Sequence, residues 1–185
     1  MGTLLKIVSG GQTGADRAAL DWALAQNLPC GGWCPKGRKA EDGAIDSKYP
    51  LNESSSTSYL QRTEWNVRDS DGTVVFSMAP ALTGGSMKTV EFARKHGKPW
   101  LHLHFEEGKA VDKLRSFVSD NGIEILNVAG PRASKEPKVG EFVIQTLDLT
   151  FGSKKKSSSE DELKSLMEKA ERDLARWEES ETEQL

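Results

Sequence analysis

Several residue types are scarce in this 185-residue chain, and each scarcity removes a class of protein. Cysteine is limited to Cys30 and Cys34, whose spacing fits neither a C-x-x-C redox pair nor a zinc half-site. Reduced thiols are expected, with Cys34, just before Pro35, the one better placed for a disulfide or a metal. Long apolar runs are missing, so no segment approaches the roughly 20 residues of a membrane span. The run Leu4 to Val8 is too short for a signal-peptide core and lacks a small-residue cleavage motif, so a cytoplasmic protein without a membrane role is expected. Basic excess is absent too: 25 Lys and Arg stand against 28 Asp and Glu. Residues 153–185 hold seven of the basic and ten of the acidic groups, which leaves the rest of the chain balanced. Such a balance argues against binding a phosphate backbone, so no nucleic-acid partner is expected despite five tryptophans.

What is present begins at the N-terminus. Leu4-Leu5-Lys6-Ile7-Val8 reads as a buried strand, Ser9-Gly10-Gly11-Gln12-Thr13-Gly14 as a turn, and Ala15-Asp16-Arg17 as the start of a helix. A strand feeding a glycine-rich turn at a helix start leaves backbone N–H groups pointing one way, which suits a phosphate or another oxyanion. Gly11 and Gly14 match the second and third glycines of G-x-G-x-x-G, but Ser9 stands at the first, and no Gly-Lys-Ser/Thr follows. A Rossmann-like unit is indicated, without NAD or ATP specificity. The same residues also fit a tight turn with no ligand. If an anion sits there, valine at Gly11 is expected to occupy its place while leaving the fold intact.

Downstream, strand-like and helix-like periods alternate, as in a layered α/β domain. Helices are expected over 15–26, 57–68, 87–96, 111–120 and 139–149. Buried strands are expected over 73–78, 100–105 and 123–128, while 30–56 reads as a long loop with two short extended pieces. Helical crossovers require a mainly parallel sheet with helices on both faces, and ligands then bind beyond the carboxyl ends of the strands. Three turns meet there: Gly10 to Gly14, Thr83-Gly84-Gly85-Ser86, and Asn127 to Arg132, including Gly130. Arg132 or Arg17 adds a charge-assisted contact.

The segment 31–43 is too long for a connector and reads as a lid. Trp33 offers a stacking ring, Lys36, Arg38 and Lys39 offer cations, and Glu41 and Asp42 offer acceptors, a set that suits a flat heterocycle bearing phosphate. Thr63, Asn66 and Asp71 are placed to orient ligand hydroxyls only if their helix lies under the crevice; Asp69 and Asp71 fit capping or subunit contacts equally well. His102 and His104 share one face of a strand, suited to packing or to a metal, but no third ligand is evident and no metal is expected.

These motifs together resemble a known family. The segments 7–21, 31–43, 63–71, 82–86 and 126–132 are similar to those of the molybdenum cofactor carrier proteins, a circularly permuted branch of the SLOG nucleotide-binding Rossmann-like proteins. The resemblance implies an α/β homo-oligomer that holds molybdenum cofactor (molybdopterin) or a nucleotide-like ligand, in either case a small phosphorylated molecule. Relatives in the wider superfamily that cleave nucleotide N-glycosidic bonds carry P-G-G-x-G-T-x-x-E. Here Gly84, Gly85 and Glu91 fit that frame, but Thr83 replaces the proline and Met87-Lys88 replaces Gly-Thr.

The expected function is therefore binding, through Ser9, Gly10, Gly11, Gln12, Thr13, Gly14, Arg17, Trp33, Lys36, Arg38, Thr83, Gly84, Gly85, Ser86, Asn127, Gly130 and Arg132. The alternatives are a phosphoribohydrolase with Glu91 as catalytic carboxylate and Arg132 or Arg17 as phosphate clamp, and an oligomeric scaffold without ligand. Residues 1–152 form the expected ligand-binding domain and 153–159 a linker. The remaining segment, 160–185, carries an amphipathic helix with Leu163, Leu166, Met167, Ala170, Leu174 and Trp177 on one face. Its polar face is acidic, which favours a protein partner, its own core or a second subunit, over a membrane.

Overall fold

A computed structural model describes residues 4–152. The linker and the C-terminal helix expected from the sequence lie outside them. Six strands form a parallel sheet: β1 (Lys6–Val8), β2 (Cys30–Cys34), β5 (Leu51–Glu53), β6 (Gly72–Ser77), β7 (Trp100–His104) and β8 (Ile125–Ala129). The spatial order is β5-β2-β1-β8-β6-β7. Two further two-residue strands, β3 (Lys39–Ala40) and β4 (Gly43–Ala44), make a small antiparallel hairpin within the segment expected to be a lid.

Helices α1 (Ala15–Ala25), α4 (Ala110–Asp120) and α5 (Val139–Phe151) pack together on one face of the sheet. The pair α2 (Tyr59–Arg68) and α3 (Gly84–Lys95) covers the other. A sheet covered on both faces needs apolar strands without alternation, and β6, GTVVFS, is buried at all six positions. On α1 the small residues Ala18, Ala19 and Ala23 beside Trp22 are buried as the 3.6-residue period requires. They let α1 approach α5, where Trp22 Nε1 donates to Asp148 Oδ1 at 3.3 Å.

Strand β8 connects to α5 on one face, whereas its neighbour β6 connects to α3 on the other. Adjacent strands whose connections leave in opposite directions open a crevice at their carboxyl ends. The α/β Rossmann-like architecture expected from the sequence is the one observed.

The segment 30–56 is more regular than a loop. β2 and β5 are full members of the sheet, and a second apolar cluster of Leu20, Cys34, Ile45, Tyr49 and Leu51 holds the intervening chain against α1. Arg38 organises that chain: its guanidinium donates to the carbonyl oxygens of Ile45, Leu51, Asp46 and Tyr49 at 2.8 to 3.1 Å. Cys30 and Cys34 are free thiols, Cys34 fully buried, and burial pushes both above the ordinary thiol range. Among the described residues no helix is long and apolar enough to cross a membrane.

Candidate functional site

A cleft of about 270 Å³ lies at the crevice between the ends of β6 and β8. Four stretches build its walls. Gln12 comes from the turn after β1, and Tyr59, Leu60, Arg62 and Thr63 from the first turns of α2. Ser77, Ala81, Leu82, Thr83, Gly85, Ser86, Lys88 and Thr89 come from the end of β6 and the start of α3, and Pro131, Arg132, Lys135 and Glu136 follow β8. Because α2 runs antiparallel to the strands, its N-terminal turns do lie under the crevice. Its C-terminal end lies at the opposite edge.

The start of α3 faces this space with its first N–H groups. Its N-cap, Thr83, makes no side-chain cap hydrogen bond, so the first-turn donors have no capping oxygen. Gly85 has open space where a Cβ would stand, and Lys135 Nζ lies 3.5 Å from the corresponding point at Gly84. The helix dipole and the Lys135 ammonium thus reinforce one another at the cleft wall.

The turn after β1 is organised differently from the sequence expectation. The Asp16 carboxylate, 3% exposed, turns back into it. It accepts from the Gln12 N–H at 3.4 Å and pairs with Arg62 Nη1 at 3.1 Å. Burial pushes the Asp16 carboxyl upward against the pull of Arg62. The Thr13 N–H donates to Gln12 Oε1 at 3.1 Å, and the Ala15 N–H to the Pro131 carbonyl at 3.3 Å. These three N–H groups, expected to face a ligand, are thus satisfied within the protein. Gly11, at φ +73°, turns toward the second cluster: a Cβ there would lie 2.5 Å from Leu51 Cδ1 and 3.1 Å from Ile45 Cδ1. Valine at this position meets the protein's own side chains, which corrects the expectation that the fold would tolerate it.

Gln12 carries the turn's contribution to the cleft. Its Oε1 accepts from the N–H groups of Thr13 and Glu41, at 3.1 and 2.9 Å, which fixes the amide orientation. Its Nε2 is left with no hydrogen-bond partner among the described residues, although Gln12 is only 7% exposed. A buried donor on a cleft wall is costly unless something accepts from it.

Of the residues singled out from sequence, Gln12, Thr83, Gly85, Ser86 and Arg132 line the cleft together, with Gly84 beside them. The others lie elsewhere. Ser9 Oγ donates to the Val128 carbonyl at 2.7 Å, and Asn127 Nδ2 to Thr73 Oγ1 at 3.2 Å, both buried between strands. Gly10 is covered by the Arg62 guanidinium, while Gly14 and Gly130 permit close backbone approach to Pro131 and Phe76. Thr13 faces Glu41. Arg17 is bonded to Asp42 and to the Gly11 carbonyl, Lys36 is exposed outside the cleft, and Arg38 is consumed by its four carbonyls.

Trp33 sits on β2. Its ring packs edge-on to Trp65, 4.7 Å between centroids, and its Nε1 donates to Asp69 Oδ2 at 2.7 Å, so it stacks on a neighbour rather than in the cleft. Asn66 binds the Trp33 main chain through both amide atoms where β1 has ended, and Asp71 accepts from the N–H groups of Glu124 and Ile125. Thr63 alone of Thr63, Asn66 and Asp71 reaches the cleft.

Glu91 does not line the cleft. Its carboxylate pairs with Lys88 at 2.6 Å on the half-exposed surface of α3. At the cleft floor Ser77 Oγ donates to the Ala79 carbonyl at 2.6 Å and so accepts from His102 Nε2–H, 2.7 Å away. Burial lowers the His102 pKa, which keeps the ring neutral at neutral pH. Among the described residues, no group of three His, Cys, Asp or Glu side chains is placed to hold a metal.

Arg62, Tyr59, Lys135 and Glu136 were missed from sequence. Arg62 lies on the sequence-predicted helix, but no motif marks it, since it enters the site only through its pairing with Asp16.

A parallel sheet with a cation-lined cleft at its switch point defines a Rossmann-like α/β protein. The sequence profile of the circularly permutated YpsA SLOG family matches residues 7–151, and the chain belongs to that family. A crystal structure of a "putative molybdenum carrier protein" from Syntrophus aciditrophicus SB superposes with a TM-score of 0.77 at 43% sequence identity. The match covers 80% of this chain and 96% of that one. No curated protein matches the chain.

Proposed function

We propose that the protein is a cytoplasmic carrier that binds a small phosphorylated ligand, a pterin of the molybdenum-cofactor type or a related nucleotide, in the cleft between β6 and β8. The observation that carries this is the unpartnered Gln12 Nε2 in the same cleft as the uncapped start of α3. A phosphate oxygen accepts from both, with Lys135 and Arg132 supplying charge. Tyr59, 39% exposed on the cleft wall with the Arg62 guanidinium over its ring, offers the aromatic surface for a flat heterocycle, since Trp33 packs on Trp65. The name of the Syntrophus protein, a molybdenum carrier, supports the molybdenum side of this reading. The position of Glu91, outside the cleft and paired to Lys88, favours binding over N-glycosidic hydrolysis.

Native mass spectrometry of freshly purified protein, followed by calorimetric titration with inorganic phosphate and nucleoside monophosphates, tests the proposal. Gln12→Glu keeps the acceptor for Thr13 and Glu41 but replaces the donor with a carboxylate oxygen. Affinity is expected to fall at least tenfold, about 1.4 kcal/mol. Equal binding by wild type and variant would remove Gln12 from the site. Release of free base from a nucleotide would overturn the carrier reading.

A further inference from the structure

The turn of the hairpin formed by β3 and β4 is fastened by two neighbouring carboxylates, Asp42 to Arg17 and Glu41 beside the cleft. Both oxygens of Glu41 are held: Thr13 Oγ1 and the Ser134 N–H donate to Oε1, the latter at 3.2 Å, and Ser134 Oγ donates to Oε2. Arg132 Nε stands 3.8 Å from the same Oε2. Two hydroxyls, one backbone N–H and a guanidinium around a single carboxylate make a set that serves a phosphate oxygen equally well. Thr13 is oriented for this, because its hydroxyl accepts from the Ala133 N–H at 3.2 Å and so turns its proton outward. The donor set adjoins the cleft through two residues. Arg132 lines both, and Gln12 lines the cleft while its Oε1 accepts from the Glu41 N–H.

We infer that the Thr13, Ser134 and Arg132 donors form a second anion subsite of the cleft, held here by the Glu41 carboxylate, for which a terminal phosphate of the ligand competes with Glu41. The inference rests on the proposed phosphate-binding cleft. It narrows the ligand class to molecules with two anionic groups, one reaching the start of α3 and one reaching Thr13 and Ser134, such as a diphosphate ester. Displacing Glu41 also frees its N–H from Gln12, so binding at the second subsite loosens the hairpin.

Glu41→Gln and Glu41→Ala, titrated calorimetrically with inorganic phosphate and pyrophosphate beside the wild type, supply the test. Competition predicts pyrophosphate affinity at least tenfold higher in both variants, with a smaller gain for phosphate, which can still use the α3 subsite alone. Hydrogen exchange at residues 38–46 of the wild type should quicken on adding pyrophosphate. If Glu41 is only a tether, the variants lower the melting temperature while affinity stays level or falls, and the subsite is refuted. If neither anion binds wild type or variants, the cleft proposal fails and takes the subsite with it. Binding of phosphate with no preference for pyrophosphate in any protein leaves the cleft standing and removes the subsite alone.

Discussion

At the scale of single residues, several side chains that look free for a ligand in the sequence are bound to the protein's own main chain. Arg38 is the clearest example: a cation in a Gly/Lys-rich segment reads as a phosphate contact, yet its five donors in a planar fork suit the four carbonyls that the surrounding turn leaves unpaired. Asp16 acts on the neighbouring turn, where its carboxylate accepts from the Gln12 N–H and pairs with Arg62. Sequence spacing reports which residues share a turn but not which of them satisfies its donors. Gly11 supplies a direct check. Gly11→Val introduces a branched residue at φ +73° against Leu51 and Ile45, so the expected loss is at least about 2 kcal/mol from strain and overpacking. Chemical denaturation measures it, and a fully stable variant would show that the second cluster is looser than its packing.

At the scale of elements, helices and the long central strands are legible because their periods are strong. The buried run of β6 and the alanine face of α1 need no tertiary information. β2 and β5 show in the sequence only as unplaced extended pieces of a loop, because CGGWC and LNE are short, carry no alternation, and become strands only when β1 offers its edge to β2 and β2 offers its own to β5. The start of α3 was expected at Met87 and lies at Gly84, since glycines read as turn residues even where they open a helix. That early start puts helix N–H groups at the cleft, and Gly85 allows the element to be tested without harming the fold. Gly85→Asp adds a side chain in open space, at a position where the helix dipole favours a carboxylate. The melting temperature should hold or rise slightly while phosphate affinity falls more than tenfold. Unchanged affinity would move the anion away from α3.

At the scale of the whole molecule, the hairpin beside the cleft is joined to the sheet layers by two kinds of bond that respond differently to acid. Glu41 is held below the usual carboxylate range by hydrogen bonds from Ser134 and Thr13, and Asp42 by the Arg17 guanidinium. A folded carboxyl with a lowered pKa stabilises the fold above its unfolded value, near pH 4, and loses that contribution as pH falls through the lowered value. Arg38 instead holds its segment through main-chain carbonyl oxygens, with no carboxylate in the bonds. Below about pH 4 the Glu41 N–H should therefore lose hydrogen-exchange protection before the amides of β6 do, while residues 45–51 stay ordered around Arg38. Simultaneous loss at all these amides would mean that the hairpin and sheet open as one unit.

The cleft draws its walls from residues 12, 59–63, 77–89 and 131–136, contributed by segments on both faces of the sheet. No local piece of the chain can assemble those groups alone, so an occupant is lost whenever the domain unfolds, and its binding energy adds to the stability of the whole. Each tenfold excess of an occupant over its Kd then adds about 1.4 kcal/mol, worth roughly 2–4 °C of melting temperature per kcal/mol in a domain of this length. Heat thus becomes an assay for the proposed binding, in which a panel of phosphorylated heterocycles is ranked by how far each postpones melting.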